Sequence, residues 1–226
     1  MEVNVWLITT SLGVGAVLLY IQSNVTSLFL KSYRVTGMRQ LRLITLSFIF
    51  FILATSSMLT INILLSLYYS EIPLKVVLIY REFSTFLYNV IFSIGLFFLL
   101  LSSTRFSLTT YSITPLITLP TLGIITSEET LDRILLINKY GRIAVDIVII
   151  IEASFLLTLY LTYSEKEVIT GKLWTLGILL IMFSRGVDIL PTKPYSETFI
   201  IFMDMVAFIL IYLMKKEAEI MYRGRT

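Results

Sequence analysis

The stretch Gly141–Ser164, GRIAVDIVIIIEASFLLTLYLTYS, constrains this chain more than any other. It is apolar and long enough to cross a bilayer, because about 20 residues at about 1.5 Å each span a hydrocarbon layer of about 30 Å. Yet it carries Asp146 and Glu152. If Arg142 marks the interface, Glu152 lies about 15 Å into the hydrocarbon. A lone ionised carboxylate is costly at that depth unless it is paired, hydrated or protonated. Other helices must therefore supply a polar interior, which predicts a bundle and not a single anchor.

Composition agrees. The chain has 226 residues, of which 57% are hydrophobic and 15% charged, with a mean hydropathy of +0.88. A soluble domain is about a quarter charged. Here the charges gather between long uncharged runs, as in a multi-pass membrane protein. The length suits one domain, residues 1–226.

Cysteine and histidine are both absent. That excludes disulfides, thiolate metal sites, imidazole ligation of haem or zinc, and histidine acid–base chemistry. No lysine lies inside an apolar run, which argues against a retinal Schiff base. The net charge of +3 comes from basic residues in predicted loops, a topology signal and not a nucleic-acid one. Neither a glycine-rich phosphate loop nor a catalytic constellation is recognisable. The expectation is a non-enzyme without a cofactor or metal.

Hydropathy predicts an all-α membrane protein, a compact seven-helix transmembrane bundle. Its spans cover residues 3–21, 41–68, 84–103, 107–127, 143–163, 173–190 and 198–214. A short surface helix is predicted over 128–140, capped by Thr126 and Glu129 and stopped by Gly141. The start, MEVNVW, lacks a basic region and reads as part of the first span, not a cleaved signal. The loop with Lys31, Arg34, Arg39 and Arg42 and the tail with Lys215, Lys216, Arg223 and Arg225 should share the cytoplasmic side. An even number of crossings must then separate them. Seven spans satisfy this, with the N-terminus outside and the C-terminus in the cytoplasm. The fourth span contains Pro115 and Pro120, which would break the helix. Broken helices mark binding sites in some transporters, although a structural kink leaves the same pattern.

The polar residues inside the spans are few. Glu82, Thr85, Asn89 and Ser93 are spaced three, four and four, so they share one helix face. Asn62 lies in the hydroxyl-rich half of the second span. Arg185 and Asp188 lie late in the sixth span, and Asp204 lies in the seventh. Helix rise places Asp146, Glu152, Arg185, Asp188, Asp204, Asn62 and Asn89 in the outer half of the bundle, with Glu82 at the outer interface. Arg185 and Asp188, three apart, should pair along their helix. Arg185 should also face Glu152 and Asp204. Acids remain in excess, so either some carboxyls hold protons or a cation or substrate amine supplies the missing charge.

A faint internal similarity relates Phe86–Phe92, FLYNVIF, to Ile201–Ala207, IFMDMVA, and Ser56-Ser57 to Ser184-Arg185. Three helices, one linker helix and three more in parallel repeats would produce it, and SWEET-type sugar transporters are built that way. The proline–glutamine motif of that family's relatives is absent. Chance similarity between apolar helices gives the same pattern, so the sequence assigns neither repeat nor family.

These features lead to the expectation of a cell-membrane, multi-pass transporter or permease-like protein, proton- or cation-coupled. Its site would be built from Glu152, Asp204, Arg185, Asp146, Asp188, Asn89, Asn62 and Glu82. The alternative is a receptor-like sensory module or a non-catalytic subunit of a larger complex. The expected partners are the lipid bilayer, a small cationic or polar ligand, and a protein partner or further copies of the chain, with no nucleic acid.

Overall fold

The computed structural model describes residues 5–68, 73–103, 128–163, 170–189 and 196–223, and helix is the only regular secondary structure among them. There are six described helices: α1 (Val5–Thr36), α2 (Arg39–Tyr68), α3 (Leu74–Ser103), α4 (Glu128–Tyr163), α5 (Thr170–Ile189) and α6 (Ser196–Arg223). Four stretches, Leu12–Thr36, Arg39–Tyr68, Lys75–Ser102 and Asp132–Leu161, are long and apolar enough to cross a membrane. The predicted fourth span, 107–127, with Pro115 and Pro120, lies outside the described residues.

Three predicted boundaries are corrected. The basic stretch after the first span is not a loop from residue 22: α1 continues to Thr36. Leu18, Gln22, Val25 and Phe29 are all buried at helical spacing, so one packed face runs unbroken through that segment. Gly37 ends it. Its φ of 64° is left-handed, and its N–H donates to the Tyr33 carbonyl at 2.7 Å, closing an αL cap. α3 starts at Leu74, not Ser84. The Pro73 carbonyl accepts from the N–H groups of Val76 and Val77, and at that position proline's missing N–H costs nothing. The predicted surface helix over 128–140 is not separate, because α4 is continuous from Glu128 to Tyr163. Gly141 is a packing residue there and not a stop: a Cβ at its position would lie 3.0 Å from the Phe86 ring.

The helices form a closed ring in which each packs on its chain neighbours and α6 returns to α1. Helices consecutive in the chain are antiparallel except at one seam. Lys75 meets Asp132, Glu82 meets Arg142, Asn89 meets Asp146 and Ser93 meets Glu152, so α3 and α4 run parallel. It follows that α6 and α1 are also parallel. The end of α3 and the start of α4 lie at opposite ends of the bundle. The first three helices and the last three thus share one order of directions.

The interior between these helices is aromatic. Phe51, Phe92 and Phe208 come from α2, α3 and α6, with ring centroids 4.7 Å apart for Phe51–Phe92 and 5.1 Å for Phe51–Phe208. Phe48 packs edge-on to both Phe51 and Phe208. Gly95 permits the close approach of α2 to α3, since a Cβ there would sit 2.6 Å from the Phe51 ring and 3.1 Å from the Ser47 carbonyl oxygen. This apolar floor lies beside Tyr88 and Arg185, where the polar residues begin.

Candidate functional site

The polar residues of α3 to α6 converge from the first half of α3 to its middle, with Asn89 and Asp146 near the midpoints of α3 and α4. The 82, 89, 93 face of α3 is turned toward α4, as its spacing requires. Three of its members each meet a polar residue there. The Arg142 Nη1 atom lies 3.2 Å from Glu82 Oε2, the Asn89 Nδ2 donates to Asp146 Oδ1 at 2.8 Å, and the Ser93 hydroxyl donates to Glu152 Oε2 at 2.9 Å. Thr85 is different: its hydroxyl donates back to the Arg81 carbonyl of its own helix, the usual fate of a hydroxyl in an apolar helix.

The second part joins α5 to α6. Arg185 Nη2 donates to Asp204 Oδ2 at 2.5 Å, with both side chains at 0% exposure. The Tyr88 hydroxyl donates to the same carboxylate oxygen at 2.6 Å, and the Ser184 hydroxyl reaches Asp204 Oδ1 at 3.4 Å. The guanidinium carbon also lies 4.9 Å from the Phe92 ring centroid and 5.4 Å from that of Tyr88. Aromatic faces hold a desolvated cation by their quadrupoles. Arg185 is thus clamped between one carboxylate and two rings.

Asp188 closes the cluster from α5. Its Oδ2 lies 3.7 Å from Arg142 Nε. The pairings therefore differ from those the spacing suggests. Arg185 and Asp188 do not pair along α5: each reaches to another helix, Arg185 to α6 and Asp188 to α4. Nor does Arg185 pair with Glu152, which sits deeper and is held by Ser93. On a helix the azimuth of a long side chain is decided by its neighbours across the interface: the Asp204 carboxylate on α6 takes Arg185, and the Arg142 guanidinium on α4 faces Asp188.

Arg142 thus joins Glu82 to Asp188, Asn89 holds Asp146, and Tyr88 and Ser184 join Arg185 in holding Asp204, three sets of contacts carried by α3, α4, α5 and α6. Glu152 lies about 9 Å further along α4 than Asp146. Asn62 is buried on α2, outside the contacts just described. Arg142 served in the sequence only as an interface marker, and Tyr88 gave no signal there because a tyrosine in an apolar helix is common. A separate buried polar pair, in which the Thr55 hydroxyl donates to Gln22 Oε1 at 3.0 Å, was missed because Gln22 fell in a predicted loop.

Burial across these contacts is graded. The rim, Arg142 and Glu82, is 13% and 29% exposed, whereas Asp188, Arg185 and Asp204 are sealed. Two guanidinium groups face four carboxyls. Among the described residues, Asp146 Oδ2, both Asp188 oxygens, Asn89 Oδ1, Arg185 Nε and Arg185 Nη1 have no hydrogen-bond partner. No group of three or more acidic residues among those described has the geometry to hold a metal ion. Comparison with known protein families, curated proteins and solved structures finds no match to this chain.

Proposed function

We propose that this chain is a small multi-pass membrane protein of the cell membrane that moves a solute, coupled to protons or a small cation, through the charged residues between α3, α4, α5 and α6. One observation carries this reading: four acids and two arginines enclosed between α3, α4, α5 and α6, with several carboxyl oxygens unmatched and the rim open. A structural charge cluster is normally balanced and hydrogen-bonded throughout, because buried unpaired polar atoms cost stability. An unbalanced one is suited to exchanging protons or binding a cationic or polar ligand. Glu152 extends the acidic line further along α4, past its midpoint.

The test is a reconstitution. Purified protein in liposomes under an imposed pH gradient should conduct protons, or take up solute with them, well above protein-free vesicles. Vesicles that stay tight, together with stoichiometric copurification of another protein, would replace this reading by the receptor or subunit one.

The proposal includes seven spans with the N-terminus outside. The parallel pairing of α3 and α4 supports it, since a chain leaving α3 at one end must return across the bundle before α4 begins. That agrees with the proposed three-plus-one-plus-three order, in which the span expected over 107–127 is the crossing. Accordingly, single cysteines introduced by Ser32→Cys and Arg223→Cys should both resist a membrane-impermeant thiol reagent in intact cells, and Ser127→Cys should react. Labelling of Arg223→Cys from outside would remove the crossing.

A further inference from the structure

The turn between α1 and α2 carries charge that nothing in the fold answers. Lys31 and Arg34, three apart, share a face of α1 near its end, and Arg39 and Arg42, three apart, share a face of the first turn of α2. All four are exposed. The sequence holds no acidic residue between Glu2 and Glu71, and among the described residues none of the four cations makes an ion pair. Like charges one helical turn apart repel each other. Between the two pairs stand Val35 and Met38, 86% and 56% exposed. The tip is thus an apolar crest flanked by cations on both sides.

Its shape is preformed. Gly37 closes α1 in the left-handed conformation, and the Met38 carbonyl accepts from the Arg42 N–H at 3.2 Å to open α2. The Thr36 hydroxyl donates to the Ser32 carbonyl at 2.9 Å and accepts from the Met38 N–H at 3.4 Å. Just inside the turn, Phe29 of α1 and Phe48 of α2 are buried and stack with ring centroids 5.3 Å apart, which fixes one helix against the other. A ligand meeting this surface need not order it first.

The two helices also decide where the tip lies. Leu12–Thr36 and Arg39–Tyr68 are both long and apolar enough to cross a membrane, so the turn that joins them stands where the chain leaves the bilayer. At that level cations meet lipid phosphate, and exposed apolar side chains meet the edge of the acyl layer. An acidic protein would match the cations alone; an anionic lipid surface matches the cations and the crest together. We propose that the α1–α2 tip binds the headgroups of anionic phospholipids, with Lys31, Arg34, Arg39 and Arg42 on the phosphates and Val35 and Met38 against the acyl boundary. This rests on α1 and α2 crossing the bilayer and not on transport.

Because the chain lacks cysteine, Val35→Cys carries a single fluorophore at the crest. The full-length protein is placed in nanodiscs of phosphatidylcholine with a minority of phosphatidylglycerol, and a quenching label is attached to one lipid or the other. Per labelled molecule, phosphatidylglycerol should quench about fivefold more than phosphatidylcholine at low salt. The preference should fade in about 1 M salt, where charges are screened within about 3 Å. A fluorophore at the far end of α2, carried by Ser66→Cys, should show no preference. Changing all four cations to glutamine should abolish the preference at Val35→Cys and leave quenching by phosphatidylcholine as it was. Should that variant fail to fold, Arg34→Gln and Arg42→Gln, made singly at exposed positions, should each lower the preference in part. Equal quenching by the two lipids leaves the cations to an acidic protein partner and overturns the proposal. A preference that survives loss of the cations, or an equal one at Ser66→Cys, overturns it too. So does displacement by free inorganic phosphate, which would make the tip a site for a soluble anion. Proton flux in liposomes bears only on the transport reading, whereas a chain that does not enter nanodiscs defeats the membrane reading and the lipid site together.

Discussion

Arg185→Met should be the most damaging single change in this chain. Methionine nearly fills the space but leaves Asp204 a buried carboxylate served only by the Tyr88 and Ser184 hydroxyls. Breaking a sealed ion pair from one side costs about 3–5 kcal/mol, because the remaining charge cannot be hydrated. For a protein of this size that is on the order of 10 °C in thermal midpoint, measured in detergent. The contacts of the guanidinium with Phe92 and Tyr88 are lost as well, so Arg185→Lys should recover only part: lysine supplies the charge without the planar fork. Adding Asp204→Asn to Arg185→Met removes the stranded charge. The double variant should then be more stable than Arg185→Met alone, with a coupling of about 2 kcal/mol. Simple additivity of the two changes would mean that the pair does not act as a unit.

This expectation could not have been written from the sequence, and the reason is instructive. The apolar runs made the existence of the long helices legible, because only helix satisfies every backbone group in a span of that hydropathy. Their ends were not legible. Bilayer thickness limits how much of a helix is submerged but not how long the helix is, so α1 runs on to Thr36, α3 begins at Leu74, and α4 passes through Gly141 without a break. Glycine signals a stop only when nothing needs its missing side chain. At Gly141 the Phe86 ring does.

The site divides in the same way. Spacing fixes which residues share a face, so the line of Glu82, Asn89 and Ser93 could be read directly. Desolvation cost marked Asp146, Glu152, Arg185, Asp188 and Asp204 as residues needing partners. Which partner each one takes depends on how neighbouring helices are rotated and shifted, and periodicity holds no information about either. The i, i+3 relation of Arg185 and Asp188 therefore suggested a pair that the fold does not make. Tyr88 lay outside the reach of such reasoning altogether. Its neighbour Asn89 faces α4, while Tyr88, about 100° around the helix, reaches Asp204 on α6. One helix thus serves two interfaces with adjacent residues, and that is what brings acids of α4 and α6 to neighbouring positions on α3.

Glu152→Gln should behave in the opposite manner to Arg185→Met. The glutamine amide is isosteric with the carboxyl and can still accept from the Ser93 hydroxyl, while no cation is left stranded. Thermal stability should hold or rise, because a neutral amide is cheaper to bury than a carboxylate. In a cycle with Arg185→Met the two changes should add to within about 0.5 kcal/mol, since they share no contact. Function should respond differently. If protons pass inward along α4 from the rim, Glu152 is the next acid after Asp146, and an amide cannot take up and release a proton. Proton flux in liposomes should then fall about 100-fold or more, the usual loss when a proton-transfer group is removed. A variant that is stable, uncoupled from Arg185 and undiminished in flux would take Glu152 off the route and confine proton handling to the other acids of α3 to α6.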